Sequence, residues 1–223
     1  LIFVQVALVK NLSGNIQELL DESAPLMNSH EANTAIFYSI TNAQMGLAGV
    51  GFGDFLIKRV VADLKDELPN IKTFSTLSPI PGFMRWLHKQ SDEDLLNEKE
   101  RQGLSKHIAF TELKDVFEKS NWYENKELAE AMRKPLSRLA AQYLVNEKRI
   151  DRALDPVANF HLNNGARVER INWLADISEK GMRESAGMMV NYLYKLDEIE
   201  HNHETYRETA VAKASGTVMN SMK

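Results

Sequence analysis

The chain has 223 residues, 43% hydrophobic and 26% charged, a composition that suits a folded protein of one or two domains. Its formal charge of −4, from 27 Lys and Arg against 31 Asp and Glu, lacks the basic surplus of a polyanion binder and argues against nucleic acid as the main partner. The absence of cysteine excludes disulfides, thiolate metal sites and cysteine nucleophiles.

The first element, LIFVQVALVK, alternates like a β-strand over residues 2–9. It carries neither an initiator Met nor a basic signal region, so the sequence is expected to begin inside a longer polypeptide. Ser13-Gly14 opens a short helix over 15–22, TAIFYSIT predicts a strand over 34–41, and a helix over 53–68 leads to a further strand over 71–77. Strand, glycine turn, helix and strand make a βαβ unit with parallel strands. Residues 84–148 are helical and charged, with SDEDLLNEKERQ as a solvated run after Ser91. Leu128, Met132, Leu136, Leu139, Ala140 and Tyr143 share one face there, and Pro135 is expected to kink that helix or start a new one. Strands are then predicted over 157–162, 167–174 and 188–194, with Asn163 to Gly165 as a tight turn between the first two, and a last helix over 203–222. No apolar run reaches the ~20 residues of a membrane span. The final NSMK is not a peroxisomal Ser-Lys-Leu ending, and a reducing, cytoplasmic setting with no membrane partner is the simplest expectation.

Three stretches bear on chemistry. AGVGFGDFLIK spaces Gly49, Gly51 and Gly53 as G-x-G-x-G ahead of a helix. That is not the dinucleotide fingerprint, but it turns the backbone tightly and leads it into a helix N-terminus, where free N–H groups and the positive dipole end favour phosphate. It matches the coenzyme A pyrophosphate turn of GNAT-type acetyltransferases, whose Arg/Gln-x-x-Gly-x-Gly/Ala pattern falls on Ala48, Gly51 and Gly53; Ala48 departs from it and loses a polar side chain. In that superfamily the strands either side of the helix splay apart around the acyl thioester. FSTLSPIPGF then ends a strand in Ser78 followed by two prolines, which fixes two φ angles and removes two donors. Such a serine is either a hydroxyl held at the splay, or a turn or capping residue. In DPVANFHLNNGA, His161 is expected on a short strand, pointing away from Phe160 and Leu162; a lone histidine there is ordinarily structural. His201-x-His203 sits in a charged helix entry and does not suggest a metal.

Together these motifs resemble the malonyl-CoA decarboxylase family. The match is carried by TAIFYSI, GLAGV with FLIKRVV, LSPIPGF, DPVANFHLNNGA (the family's NPVANFHLQNGA), INWLAD and GMMVNYLY, in order along most of the chain. The resemblance implies an α+β, GNAT-like catalytic domain over residues 1–223, a mixed, splayed sheet flanked by helices with a helical insertion near 84–148. It also implies a further N-terminal helical domain used in assembly, hence a homo-oligomer. It carries the catalytic serine and histidine onto Ser78 and His161. The malonyl-CoA site carries onto Ala48, Gly49, Val50, Gly51, Phe52, Gly53 and Asp54 with Ser78 and His161.

The implied reaction is decarboxylation of malonyl-CoA to acetyl-CoA through a thioester enolate. The thioester carbonyl is itself the electron sink, so no cofactor and no metal are expected; coenzyme A arrives as part of the substrate. Ser78 would hold or activate the malonyl carboxylate, and His161, near its ordinary pKa of ~6.5, would donate the proton. Asn159, Asn191 and Tyr192 lie in the matching motifs as possible supporting donors. An N-acyltransferase on the same scaffold, or a non-catalytic acyl-CoA-binding module, are the alternatives, since a fold does not dictate its chemistry.

Overall fold

The structure is a computed structural model and describes residues 2–25, 27–42, 53–109, 112–118 and 121–223. In chain order it contains β1 (Ile2–Val9), α1 (Ile16–Leu19), β2 (Thr34–Asn42), α2 (Gly53–Glu67), β3 (Thr73–Thr76) and β4 (Ser78–Pro79). There follow α3 (Phe83–Leu87), α4 (Asp92–Leu95), α5 (Glu98–Ser105), α6 (Leu113–Glu118) and α7 (Lys126–Val145), and a small hairpin of β5 (Lys148–Arg149) and β6 (Arg152–Ala153). The last part is α8 (Pro156–Asn163), β7 (Arg167–Asn172), α9 (Glu179–Ser185), β8 (Met189–Tyr194), α10 (Ile199–Thr209) and α11 (Gly216–Ser221).

The main sheet is mixed. β1 and β2 run antiparallel, β2 and β3 parallel as the βαβ reading requires, and β8 is antiparallel to β3, to β4 and to β7. One break in this sheet matters for function. β2 and β3 pair from Thr34↔Thr73 to Phe37↔Thr76, and the Leu77 N–H still reaches the Phe37 carbonyl at 3.1 Å. Beyond that point β4 follows β8 through Ser78↔Val190, whereas β2 continues beside β1. A register shift opposite Gln5 and Val6 leaves Tyr38 as the extra residue of β2, immediately after Phe37. A bulge bends its strand, so β2 turns away where the pairing stops. The sheet is splayed there, as expected.

Alternation places two cores on the two faces of the sheet. Ala35, Phe37, Phe74, Val190, Tyr192 and Tyr194 pack in the larger core with the helical insertion, while Ile36, Leu77 and Met189 pack on the opposite side under Leu12, Ile16 and Leu19. The apolar face read for α7 is buried at each of the six positions, and the helix runs continuously across a buried Pro135 rather than restarting there. No helix among the described residues is long and apolar enough to cross a membrane.

Two expectations are corrected. Residues 157–162 form α8, not a strand, so Asn163 to Gly165 close a helix rather than a hairpin. The single last helix is two: Ala210 takes the left-handed conformation at φ 54° to end α10, residues around Lys213 bond to Val168 of β7, and Ser215 caps α11.

Candidate active site

Thr76 and Ser78 are two residues apart on an extended backbone, so their side chains share a face while Leu77 between them anchors in the opposite core. Pro79 and Pro81 leave the following turn without two of its N–H groups, and β8 supplies the ladder instead, with Ser78 opposite Val190 and Pro79 opposite Met189. The Thr76 carbonyl at the strand break accepts from the Asn191 side-chain amide at 2.6 Å, which also reaches the Ser13 carbonyl at 3.0 Å. Asn191 Oδ1 in turn accepts from Arg170 Nε at 3.1 Å and Asn172 Nδ2 at 2.9 Å. Ser78 is not a helix cap: α3 is preceded by Gly82 and has no side-chain cap.

His161 arrives from the other direction, on α8. Asp155 caps that helix, its Oδ1 accepting the Val157 and Ala158 N–H groups at 2.9 Å each, and Pro156 occupies the first turn, where its missing donor costs nothing. The helix ends on Gly165 at φ 80°, with Gly165 N–H to the Leu162 carbonyl and Ala166 N–H to the His161 carbonyl, both at 3.0 Å. This pair of bonds is the glycine-terminated close of a helix, and it fixes the backbone of His161 itself.

The two elements meet. Ser78 Oγ and His161 Nε2 are 3.2 Å apart, and Ser78 is 6% and His161 4% exposed. Ser78 Oγ is also 2.8 Å from Thr76 Oγ1, and Thr76 Oγ1 accepts the Tyr192 backbone N–H at 3.1 Å. On the far side of the ring, His161 Nδ1 is 2.8 Å from the Tyr194 hydroxyl. The imidazole lies against the Tyr192 ring, centroids 4.5 Å apart and planes 26° from parallel. The result is a continuous chain of exchangeable protons, Thr76–Ser78–His161–Tyr194, in a buried site.

Burial decides the charge of this chain. It lowers the His161 pKa to about 3, so the ring is neutral near pH 7, and the expectation of an imidazole at its ordinary value is corrected. Desolvation also holds the Tyr192 hydroxyl well above the ordinary value for tyrosine. Asp155 is raised by burial, against which the Ala158, Gly82 and Val157 N–H groups favour its ionised form.

The expected coenzyme turn is described only in part. Ala48, Gly49, Val50, Gly51 and Phe52 lie outside the described residues; Gly53 and Asp54 are the first two residues of α2. Among the described residues no group of three or more His, Cys, Asp or Glu side chains could hold a metal, and His203 bonds instead through Nδ1 to the Asn163 carbonyl. Of the supporting donors expected, Asn191 donates to the Thr76 carbonyl. Tyr192 gives its backbone N–H to Thr76 Oγ1 and its ring face to the imidazole, while its hydroxyl has no partner among the described residues. Asn159 accepts from the Tyr206 hydroxyl at 3.0 Å and takes no part in the chain. Thr76, Tyr194 and Asp155 were not singled out from sequence. Thr76 was legible as the residue two before Ser78 on a strand, and Asp155 as the Asp before a proline; nothing local marks Tyr194.

A family model described as the malonyl-CoA decarboxylase C-terminal domain matches residues 1–223. The chain is 45% identical to the mitochondrial malonyl-CoA decarboxylase of Anser anser anser, over 98% of this chain and 46% of that protein, and 43% identical to the Rattus norvegicus protein, over 98% and 47%. The crystal structure of malonyl-CoA decarboxylase from Rhodopseudomonas palustris superposes with a TM-score of 0.89 at 44% identity, covering 99% of this chain and 49% of that one. That from Agrobacterium vitis gives 0.89 at 44%, covering 100% and 53%. The chain thus spans about half the length of the relatives it matches. With the family model matched from end to end, this chain belongs to the malonyl-CoA decarboxylase family, within its C-terminal domain.

Proposed function

We propose that this domain converts malonyl-CoA to acetyl-CoA and CO2 with Ser78 and His161 as its catalytic residues. The observation that carries the reading is their 3.2 Å contact, 83 residues apart in sequence, beside the point where β2 and β3 part. A thioester carbon chain lying in that gap would reach the Ser78 hydroxyl, with the pyrophosphate of its coenzyme at the glycine turn and the start of α2. The substrate is taken from the relatives, which are malonyl-CoA decarboxylases by name.

In the first step the bond between the malonyl carboxylate carbon and C2 breaks. Its electron pair moves into the thioester to form the enolate, and CO2 leaves. Ser78 holds the carboxylate by a hydrogen bond so that the breaking bond overlaps the carbonyl π system. In the second step C2 takes a proton from the Ser78 hydroxyl, and His161 returns one to Ser78 Oγ through Nε2. With substrate bound, a neutral ring carrying its proton on Nε2 suits this relay. As Nε2 gives that proton up Tyr194 supplies Nδ1, and the Tyr194 oxygen regains one from solvent, the single proton the reaction consumes, so no free imidazolium is required. The thioester supplies the electron sink, so the reading needs neither metal nor organic cofactor.

The test is product analysis. Incubation of the full-length protein with malonyl-CoA should release CO2 and form acetyl-CoA without free thiol. Acetyl-CoA with amines should release no thiol; thiol release there would mark an acyltransferase, and tight binding without either product would mark a binding module.

A further inference from the structure

We propose that Thr76 is a positioning residue for the catalytic pair: its hydroxyl donates to Ser78 Oγ and thereby sets the direction of every proton from Thr76 to Tyr194. The proposal takes its catalytic meaning from the decarboxylase reading, but its basis is a count of donors and acceptors in a buried site.

Thr76 is fully buried. Its Oγ1 already accepts the Tyr192 backbone N–H at 3.1 Å, a donor that cannot rotate away. The hydroxyl still has its own proton to place, and among the described residues the remaining polar atom bonded to Oγ1 is Ser78 Oγ at 2.8 Å. Were Ser78 the donor, the Thr76 proton would have no acceptor among the described residues, and a buried donor left unpaired is costly. Thr76 is therefore the donor, and accepting from Tyr192 N–H polarises its O–H and makes it a better one. Ser78 then has one proton and one acceptor left, His161 Nε2 at 3.2 Å. That leaves Nε2 bare and puts the ring proton on Nδ1, where the Tyr194 oxygen accepts it at 2.8 Å.

The order has a use in the reaction. When a substrate carboxylate draws the Ser78 proton toward itself, Nε2 loses its donor. The neutral ring then changes tautomer by exchange with solvent, one proton leaving Nδ1 and one joining Nε2, so that Ser78 Oγ accepts from Nε2 while Tyr194 turns to donate to Nδ1. Thr76 continues to donate throughout. As Ser78 passes its proton to C2, the charge growing on Oγ is held by the Thr76 hydroxyl, which never touches substrate.

Two substitutions separate hydroxyl from shape. Thr76→Val keeps the branched strand side chain and removes the hydroxyl; Thr76→Ser does the reverse. In the full-length protein, Thr76→Val should lower kcat for CO2 release about tenfold, the worth of one buried hydrogen bond, with KM moved no more than about twofold. Thr76→Ser should stay close to the parent. Nitrogen-15 spectra of the His161 ring should give the Nδ1–H tautomer in the parent and in Thr76→Ser, and a mixture in Thr76→Val. The tautomer needs no turnover to be read, so a parent that releases no CO2 removes the decarboxylase reading alone and leaves the proton order testable. An Nε2–H tautomer in the parent overturns the proposal even if Thr76→Val does not fold. So does a Thr76→Val enzyme running at the parent rate, or a Thr76→Ser enzyme as slow as Thr76→Val.

Discussion

Asp155 accepts the backbone N–H of Gly82 at 3.4 Å, a second tie, beside the Ser78–His161 contact, between the helix carrying His161 and the turn carrying Ser78. The same Oδ2 lies 3.4 Å from the Tyr143 hydroxyl of α7, while Oδ1 caps α8. Replacing Asp155 by Ala should cost about 1–3 kcal/mol of stability, from a lost cap and a stranded buried donor. Asp155→Ser, which caps but cannot reach Gly82, should recover part of it. Urea unfolding of the three proteins measures this, and equal midpoints would mean that the junction carries no energy.

His161→Asn should leave malonyl-CoA binding nearly intact and lower kcat by about 10²–10⁴-fold, the usual contribution of a general acid or base. Ser78→Ala should also lower kcat more than affinity. Steady-state kinetics with a binding measurement distinguishes the outcomes: a Ser78→Ala protein that loses only affinity makes Ser78 a substrate clamp, and a His161→Asn protein within a few-fold of the parent removes His161 from the reaction.

Tyr194→Phe keeps the ring in the core and removes the Nδ1 partner of His161. Turnover should fall about tenfold at nearly constant KM, since one buried hydrogen bond to the ring is lost. A change in KM alone would place Tyr194 in substrate binding and not behind the imidazole.

The buried, neutral His161 also sets a pH dependence. Its pKa is lowered in the folded state to about 3, from 6.5 in the unfolded chain, so between these values the unfolded state binds the proton. Stability from this group is complete above about pH 6.5 and declines as the pH falls toward 3. His161→Asn removes it, so the stability difference between parent and variant should shrink as the solution is acidified from pH 7 to 5. Urea midpoints at each pH follow it; a gap that stays constant would show that the ring is not held neutral by burial.

Gly165 sits at φ 80°, and a Cβ there would lie 2.2 Å from the Ile199 carbonyl oxygen. Gly165→Ala combines backbone strain with a backbone clash at the end of the His161 helix, and should cost more than about 1 kcal/mol while lowering kcat. A thermal melt and a rate measurement test both; a parent-like Tm would mean that α10 moves aside freely.

The sheet was legible in the sequence because its strands alternate or run apolar between clear turns, and the parallel pair followed from the glycine turn and helix between them. The Ser78 turn was legible because two prolines in three residues admit few conformations. The His161 helix was not. Val157, Phe160 and Leu162 fit a strand as well as a helix over so short a run, and the arbitrating signals lay at its ends: an Asp then a Pro at the start, a glycine three residues past the last apolar position. Weighing those ends above the middle gives the helix. Tyr194 could not be found locally, since its approach to the ring depends on how β8 packs against α8, a relation between distant segments.

The 83 residues that separate Ser78 from His161 also make the site a late product of folding. Neither half of the pair can be set by its neighbours in sequence, so a chain with helices already formed but long loops still open has no competent centre. After dilution from denaturant, the return of catalysis should lag behind the far-ultraviolet helical signal, and partly folded or truncated forms should spare the cell's thioester pool.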